Sequence, residues 1–371
     1  MNAETGKHTV DRNSTALALS GGGNRAALYH AGALTRLNEL GLLTQISRIS
    51  SVSGGSITSG MLAAAWPQLN VTNGVITNLE AEVVAPIRAF CSRSTDVPAV
   101  AWGALLPGVT IGDRLIKAYE ALFKGVSLRD LPDRPQFVFN ATNLQTGRLV
   151  RLQKVRLAEY TLGEIPNPNV RLAVAVAASS AFPPVLSPVT LEVDPSAWTK
   201  LDGAFNHGKA AFNRHLSLTD GGAYDNLGLE TVDDFATIIV SDAGAPFSAK
   251  QEASSFWPKQ AMRALDIATD QARALRKRLL FAECAERART PVYAGIDSFP
   301  HKYPAAQAIK VDPGMIALLS GMRTRLNPFS EEEQARLINW GWLMMDVAAR
   351  SYIAKDAPPP QSLPIPKFSL S

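Results

Sequence analysis

The chain has little of what many sites are built from. Its 371 residues include two cysteines, Cys91 and Cys284. Neither stands in a C-x-x-C spacing, which argues against a disulfide framework or a cysteine-built zinc site and fits a reducing compartment. No run approaches the roughly 20 apolar residues of a membrane span. The net charge of +4 is too small to imply nucleic acid, though it permits weak attraction to anionic lipid headgroups. The opening MNAETGKHTVDRNS is polar and lacks the apolar core of a signal peptide. The expected location is therefore cytoplasmic, with peripheral membrane contact and export without such a signal left open. No internal repeat is visible. What remains, 46% hydrophobic and 19% charged, is the composition of an ordinary globular domain, long enough for one large α/β unit or two smaller ones.

Periodicity gives the organisation. Residues 15–20 (TALALS) read as a short apolar strand. From Arg25 to Leu40 the apolar residues fall at 27, 28, 31, 34, 37 and 40, the spacing of a helix that Gly41 would end. Residues 46–52 read as a second strand, and 55–66 as a helix stopped by Pro67. Strand–helix–strand–helix order implies a parallel sheet with right-handed crossovers. Further strands are expected at 136–140, 148–152 and 237–241. Residues 170–178 suit either a helix or a buried strand. Helices dominate from about 255: one over 257–288 and another from Ser330, where S-E-E-E forms a capping box. The reading is one catalytic core over 15–245, a helical extension over 246–355 packed on it, and flexible tails at 1–14 and 356–371. The apolar stretch 97–126 reads as a buried insertion, with a lid or membrane-touching element as the alternative. Residues 271–281 (QARALRKRLLF) set basic beside apolar; a solvated amphipathic helix is preferred to a lid or membrane face.

Three segments bear chemistry. In ISSVSGG, Ser53 stands between a short strand and a helix, the position of a nucleophile elbow, with Gly55 at the second glycine of G-x-S-x-G and Ser51 at the first. Ser50, Ser51 and Ser56 lack that strand–turn–helix position. In SGGGNRA, Gly21, Gly22 and Gly23 sit between a strand and a helix N-terminus, where free N–H groups and the helix dipole favour negative charge. A dinucleotide fingerprint also fits Gly21, Gly23 and Ala26, but it wants an acidic residue at the end of the second strand, where serines stand; Glu39 falls inside the helix. Arg25 could hold a phosphate, steady the loop or lie on the surface. In LTDGGAYDNLG, Asp220 precedes Gly221 and Gly222, which allow a tight turn that aims the carboxylate; Asp202 and Asp242 are rivals. No histidine is an evident base, and only His301 follows the aspartate as a hydrolase triad order requires. A Ser–Asp dyad fits better. Partial burial would help such a base by raising its pKa.

Together, SGGGNRA at 20–26, SVSGG at 51–55 and DGG at 220–222 resemble the patatin-like phospholipase family, as do FNATNLQTGR (139–148), ASSAFPPV (178–185) and DNLG (225–228). The S-G-G-G-x-R-A form is closer to cytosolic phospholipase A2 than to plant members. The resemblance spans roughly residues 15–245. It implies a three-layer α/β/α fold with a mostly parallel central sheet, Ser53 as nucleophile, Asp220 as base, Gly22 and Gly23 N–H groups as oxyanion donors within the Gly21–Gly23 loop, and Arg25 near the developing charge or a headgroup phosphate. The expected activity is lipid acyl hydrolysis of a phospholipid or other acyl ester through an acyl-enzyme, with no metal or cofactor in the chemistry. A thioesterase or acyltransferase, and a non-catalytic lipid-binding module, are the alternatives.

Overall fold

The computed structural model of the chain describes residues 11–93, 111–184, 186–324 and 326–371. Five strands run parallel: β1 (Asp11–Leu19), β2 (Arg48–Ser51), β5 (Gln136–Asn143), β11 (Phe235–Asp242) and β12 (Thr290–Gly295). Beyond β5 the sheet turns antiparallel through β6 (Arg148–Gln153), β7 (Arg156–Glu159) and β8 (Gly163–Pro166). Its order is β12-β11-β1-β2-β5-β6-β7-β8. The strands β10 (His215–Asp220) and β9 (Val189–Glu192) branch from β5. A small hairpin, β3 (Val71–Thr72) with β4 (Val75–Ile76), stands apart.

The longer helices are α1 (Gly23–Glu39), α2 (Gly54–Ala65), α3 (Ala85–Cys91), α4 (Ile111–Phe123), α5 (Leu172–Ser180), α6 (Trp257–Glu286), α7 (Pro313–Ser320) and α8 (Glu331–Tyr352). Strand alternation divides the core between the two faces. Leu17 and Leu19 of β1 face the larger core, which α1, α2, α5 and α8 cover. Ala16 and Ala18 face a smaller one with Ile238, Val240, Leu280 and Cys284, closed by the C-terminal part of α6. This is the expected three-layer α/β/α arrangement with a mostly parallel sheet.

The chain beyond residue 245 is more than a helical addition. β12 extends the sheet beside β11. The sequence reading missed this strand because TPVYAG is short and begins next to a proline. α8 packs directly on α1. A Cβ on Gly32 would lie 1.9 Å from the Ile338 carbonyl oxygen, and one on Gly341 would lie 1.9 Å from that of Tyr29, so the two backbones touch. Asp346 is buried between them, paired with Arg36 and Arg350 at 2.7 Å each. Ser330 and Glu333 form the expected capping box of α8.

The tails also need correction. Within the expected leader 1–14, β1 already begins at Asp11. The segment 356–371 is docked rather than loose: Asn339 of α8 donates to the carbonyls of Ile365 and Phe368, Asp312 N–H donates to Leu370, and the Leu370 side chain is buried. Proline richness keeps this segment out of helices, but apolar residues between the prolines give it a surface to cover. Residues 97–110, the first part of the stretch read as a buried insertion with a lid as the alternative, lie outside the described residues. The following helix α4 is built into the core through Leu115, Tyr119 and Phe123. Of residues 170–178, which suited either a helix or a strand, 172–178 resolve as helix within α5.

Candidate active site

The register of β5 brings two distant segments together. β2 ends at Ser51 opposite Phe139, and the antiparallel β10 ends at Asp220 opposite Ala141. Both lie on the edge of β5 away from β6, so the two strands meet end to end, with Asn140 between their tips. Ser53 then follows β2 by two residues, at the C-terminal edge of the parallel strands, where open α/β sheets place their ligands.

Ser53 has φ +52° and ψ −120°. A non-glycine residue holds such a conformation only where its surroundings impose it. Here the carbonyl and hydroxyl of Ser179, at the end of α5, both accept from Ser53 N–H at 3.1 Å. On its far side, a Cβ on Gly55 would lie 2.4 Å from the Leu19 carbonyl oxygen, so only glycine lets α2 start against β1. Ser51, in place of the first elbow glycine, is buried with its hydroxyl on the Val138 carbonyl. The serine side chain therefore fits a position where glycine was expected.

Asp220 is 2% exposed. Its Oδ1 accepts from Gly222 N–H at 2.7 Å, which aims the carboxylate. Its Oδ2 is buried without a well-formed hydrogen-bond partner. Burial pushes the Asp220 pKa up to about 6; the Gly222 N–H and the Ser53 hydroxyl, as donors, pull it back part of the way. The Ser53 hydroxyl thus lies near enough to the carboxylate to lower its pKa without completing a hydrogen bond to Oδ2. The Ser179 carbonyl accepts from Gly221 N–H as well as from Ser53 N–H. One carbonyl therefore fixes the serine and the aspartate relative to each other. The sequence shows ASSAFPPV as a segment but gives no sign of this clamp.

The glycine loop lies alongside. Gly22 and Gly23 have φ +148° and +59°, open to glycine at little cost. Their N–H groups, and that of Gly54 directly after Ser53, have no hydrogen-bond partner among the described residues. A Cβ on Gly54 would lie 2.1 Å from the Gly23 carbonyl oxygen, so these donors are neighbours. Gly54 was not among the sequence candidates, although its place directly after Ser53 in the elbow marks it. Gly21 differs from its two neighbours. Its N–H is spent on the Asn226 carbonyl at 3.0 Å, so it anchors the loop instead of offering a donor. The Asn226 side-chain Oδ1 lies where Cβ atoms on Gly21 and Gly222 would stand, 2.3 and 2.7 Å from them. That amide fills the gap between loop and aspartate.

Arg25 departs from both its surface and its phosphate readings. It is fully buried: Nη1 donates to the Ser320 and Met322 carbonyls at 2.7 and 2.8 Å, and Nη2 to that of Ala243 at 2.6 Å. Burial lowers its pKa to about 10. It ties the helix behind the glycine loop to α7 and to the end of β11. His30, also buried, holds the Ser20 carbonyl at 2.9 Å and Ser241 Oγ at 2.7 Å; burial keeps its pKa down at about 4. The rival acids and base have other surroundings. Asp242 is paired with Arg273 at 2.8 Å and accepts from Tyr293 and Gly244. Burial opposes its ionisation, but the Arg273 charge prevails and holds it at about 2. Asp202 and His301 are exposed, and no described histidine bonds to Ser53 or Asp220.

This geometry offers a hydroxyl on a strained turn, a buried carboxyl of raised pKa beside it, and a bank of unspent N–H groups at a helix start. Comparison with known proteins agrees with the fold. No curated protein sequence matches the chain. Among solved structures, human GIVD cytosolic phospholipase A2 is similar at a TM-score of 0.52 and 13% identity, over 91% of this chain and 59% of that one. The chain thus spans under two thirds of that protein's length. VipD from Legionella pneumophila is matched over 93% of this chain and 68% of its own, at TM-score 0.36 and 14% identity. The patatin-like phospholipase family model matches residues 17–233, a span that includes the glycine loop, Ser53 and Asp220. The chain belongs to the patatin-like phospholipase family.

Proposed function

We propose that the protein is a serine lipid acyl hydrolase acting through Ser53 and Asp220. The observation that supports this most is the pairing of a serine forced to φ +52° with a buried aspartate, near its hydroxyl, whose Oδ2 has no well-formed hydrogen-bond partner. Strain and an unmade hydrogen bond are both costly, and a fold keeps them where they serve chemistry.

In the proposed reaction, Asp220 takes the Ser53 proton as Oγ attacks the ester carbonyl carbon. The carbonyl oxygen becomes an oxyanion held by the Gly22, Gly23 and Gly54 N–H groups at the positive ends of α1 and α2. The ester C–O bond then breaks, the leaving alkoxide takes the proton back from Asp220, and an acyl-Ser53 remains. Asp220 next removes a proton from water. The resulting hydroxide attacks the acyl carbon, Ser53 Oγ leaves and regains the proton, and a fatty acid departs. At pH 7 a carboxyl with pKa about 6 is mostly ionised and still a better proton acceptor than an ordinary aspartate. Family membership favours a phospholipid or another lipid ester as substrate. The test is fatty acid release from mixed phospholipid vesicles. Wild type should release it. Ser53→Ala and Asp220→Asn should each fall by about 10³-fold or more with the fold intact. Full activity in either variant would refute the dyad.

A further inference from the structure

Past Ala243 the chain leaves the edge of the sheet that holds Ser53 and forms an arm. Ala243 touches the glycine loop: a Cβ on Gly22 would lie 2.8 Å from its carbonyl oxygen. From Ala245 to Trp257 every residue is exposed. The helix that follows, α6, is 30 residues long, yet only Leu280 and Cys284 are buried. No side chain of its first half is fully buried, although Pro258, Met262, Leu265 and Thr269 are half-covered.

The arm nevertheless has a definite shape. Arg273 pins its base, pairing with Asp242 at 2.8 Å and donating to the Ala245 carbonyl at 3.0 Å. Arg263 folds the loop back on the helix, donating to the Ser248 carbonyl at 2.7 Å and covering the Phe247 ring at 4.0 Å. The tip presents Phe256 and Trp257, 58% and 74% exposed, with Phe247 and Ile267 also open to solvent. A segment free to be polar instead shows large apolar side chains, and such patches mark contact surfaces. Its tip, residues 247–263, carries Lys250, Lys259 and Arg263 against Glu252, and the acids Asp266 and Asp270 follow farther along the helix, away from the tip.

We propose that this arm docks the protein on the surface of an anionic lipid bilayer, with Phe256 and Trp257 entering the interfacial zone and the cations meeting the headgroups. Tryptophan and phenylalanine beside basic residues suit that zone. The arm's base adjoins the oxyanion loop, so docking would set the site beside the membrane from which an acyl ester is drawn. The inference rests on the lipid-hydrolase reading for its purpose but not for its test.

Flotation with phosphatidylcholine vesicles, with and without phosphatidylglycerol, reads the docking. Hydrolysis of a soluble short-chain p-nitrophenyl ester reads the site separately. Wild type should bind the anionic vesicles, less so at high salt. Phe256→Asp with Trp257→Asp should lower vesicle binding about tenfold or more while leaving soluble-ester turnover unchanged. Lys250→Glu with Lys259→Glu should remove the preference for anionic lipid. Vesicle binding equal to wild type in the double aspartate variant would overturn the proposal. So would self-association through the arm without vesicle binding, which would make a second copy its partner. Vesicle binding without ester turnover by wild type would leave the docking intact and count against the catalytic reading.

Discussion

The chemistry proposed for Ser53 and Asp220 depends on surroundings that local sequence only partly encodes. The elbow and the Asp-Gly-Gly turn are short-range features, so residue types at fixed spacing reveal them. The Ser179 clamp, the Asn226 wedge and the burial of Arg25 join segments far apart in the chain, and no local spacing announces them. Two expectations follow from the raised Asp220 pKa. In its proposed role as base, Asp220 must be ionised, so kcat/KM should fall as pH drops through about 6, and a pH–rate profile should place the acidic limb there. A limb near 4 would mean an ordinary carboxylate. The second concerns stability. A carboxyl raised from 3.8 to about 6 makes its ionised form a burden of about 3 kcal/mol at neutral pH. That burden is present above the folded pKa and disappears as pH falls below the unfolded one. Asp220→Asn should therefore be more stable than wild type at pH 8 and equal to it near pH 3 in urea titrations.

Among the elements, periodicity finds what is long and amphipathic or strongly apolar. It puts α1, α2 and β11 within a few residues of their observed bounds. It misses β7, β8 and β12, which are short and rely on neighbours for their pairing. It finds α8 and its capping box but not its place. The helix reads as an addition because nothing in its own pattern shows that Gly341 meets Gly32's helix across bare backbone. Gly341→Ala would drive a Cβ against the Tyr29 carbonyl oxygen, where no flexible side chain can yield. It should cost about 3 kcal/mol or more, read as a fall in Tm of several degrees. Asp346→Ala would leave Arg36 and Arg350 without the carboxylate they share and should cost about 3–5 kcal/mol in the same melt.

For the whole molecule, composition and motif order give the fold class, and the family match over residues 17–233 agrees with it. The core does not stop where that match stops: β12, α8 and the docked segment 356–371 complete the sheet edge and the helical layer. Such completion is tertiary. A proline-rich stretch looks loose until the surface beneath it is known. Deleting residues 356–371 would uncover Asn339 and remove the buried Leu370. It should lower Tm clearly, whereas removal of an unattached tail would leave it unchanged.

The central claim is that Ser53 is the nucleophile, and a fluorophosphonate ester tests it most directly because it captures an activated serine without requiring the right lipid. Labelled protein should gain the mass of one adduct, mapped by peptide mass spectrometry to Ser53. Ser53→Ala should take up none, and Asp220→Asn should label far more slowly. An adduct on another serine, or unchanged labelling of Ser53→Ala, would contradict the account.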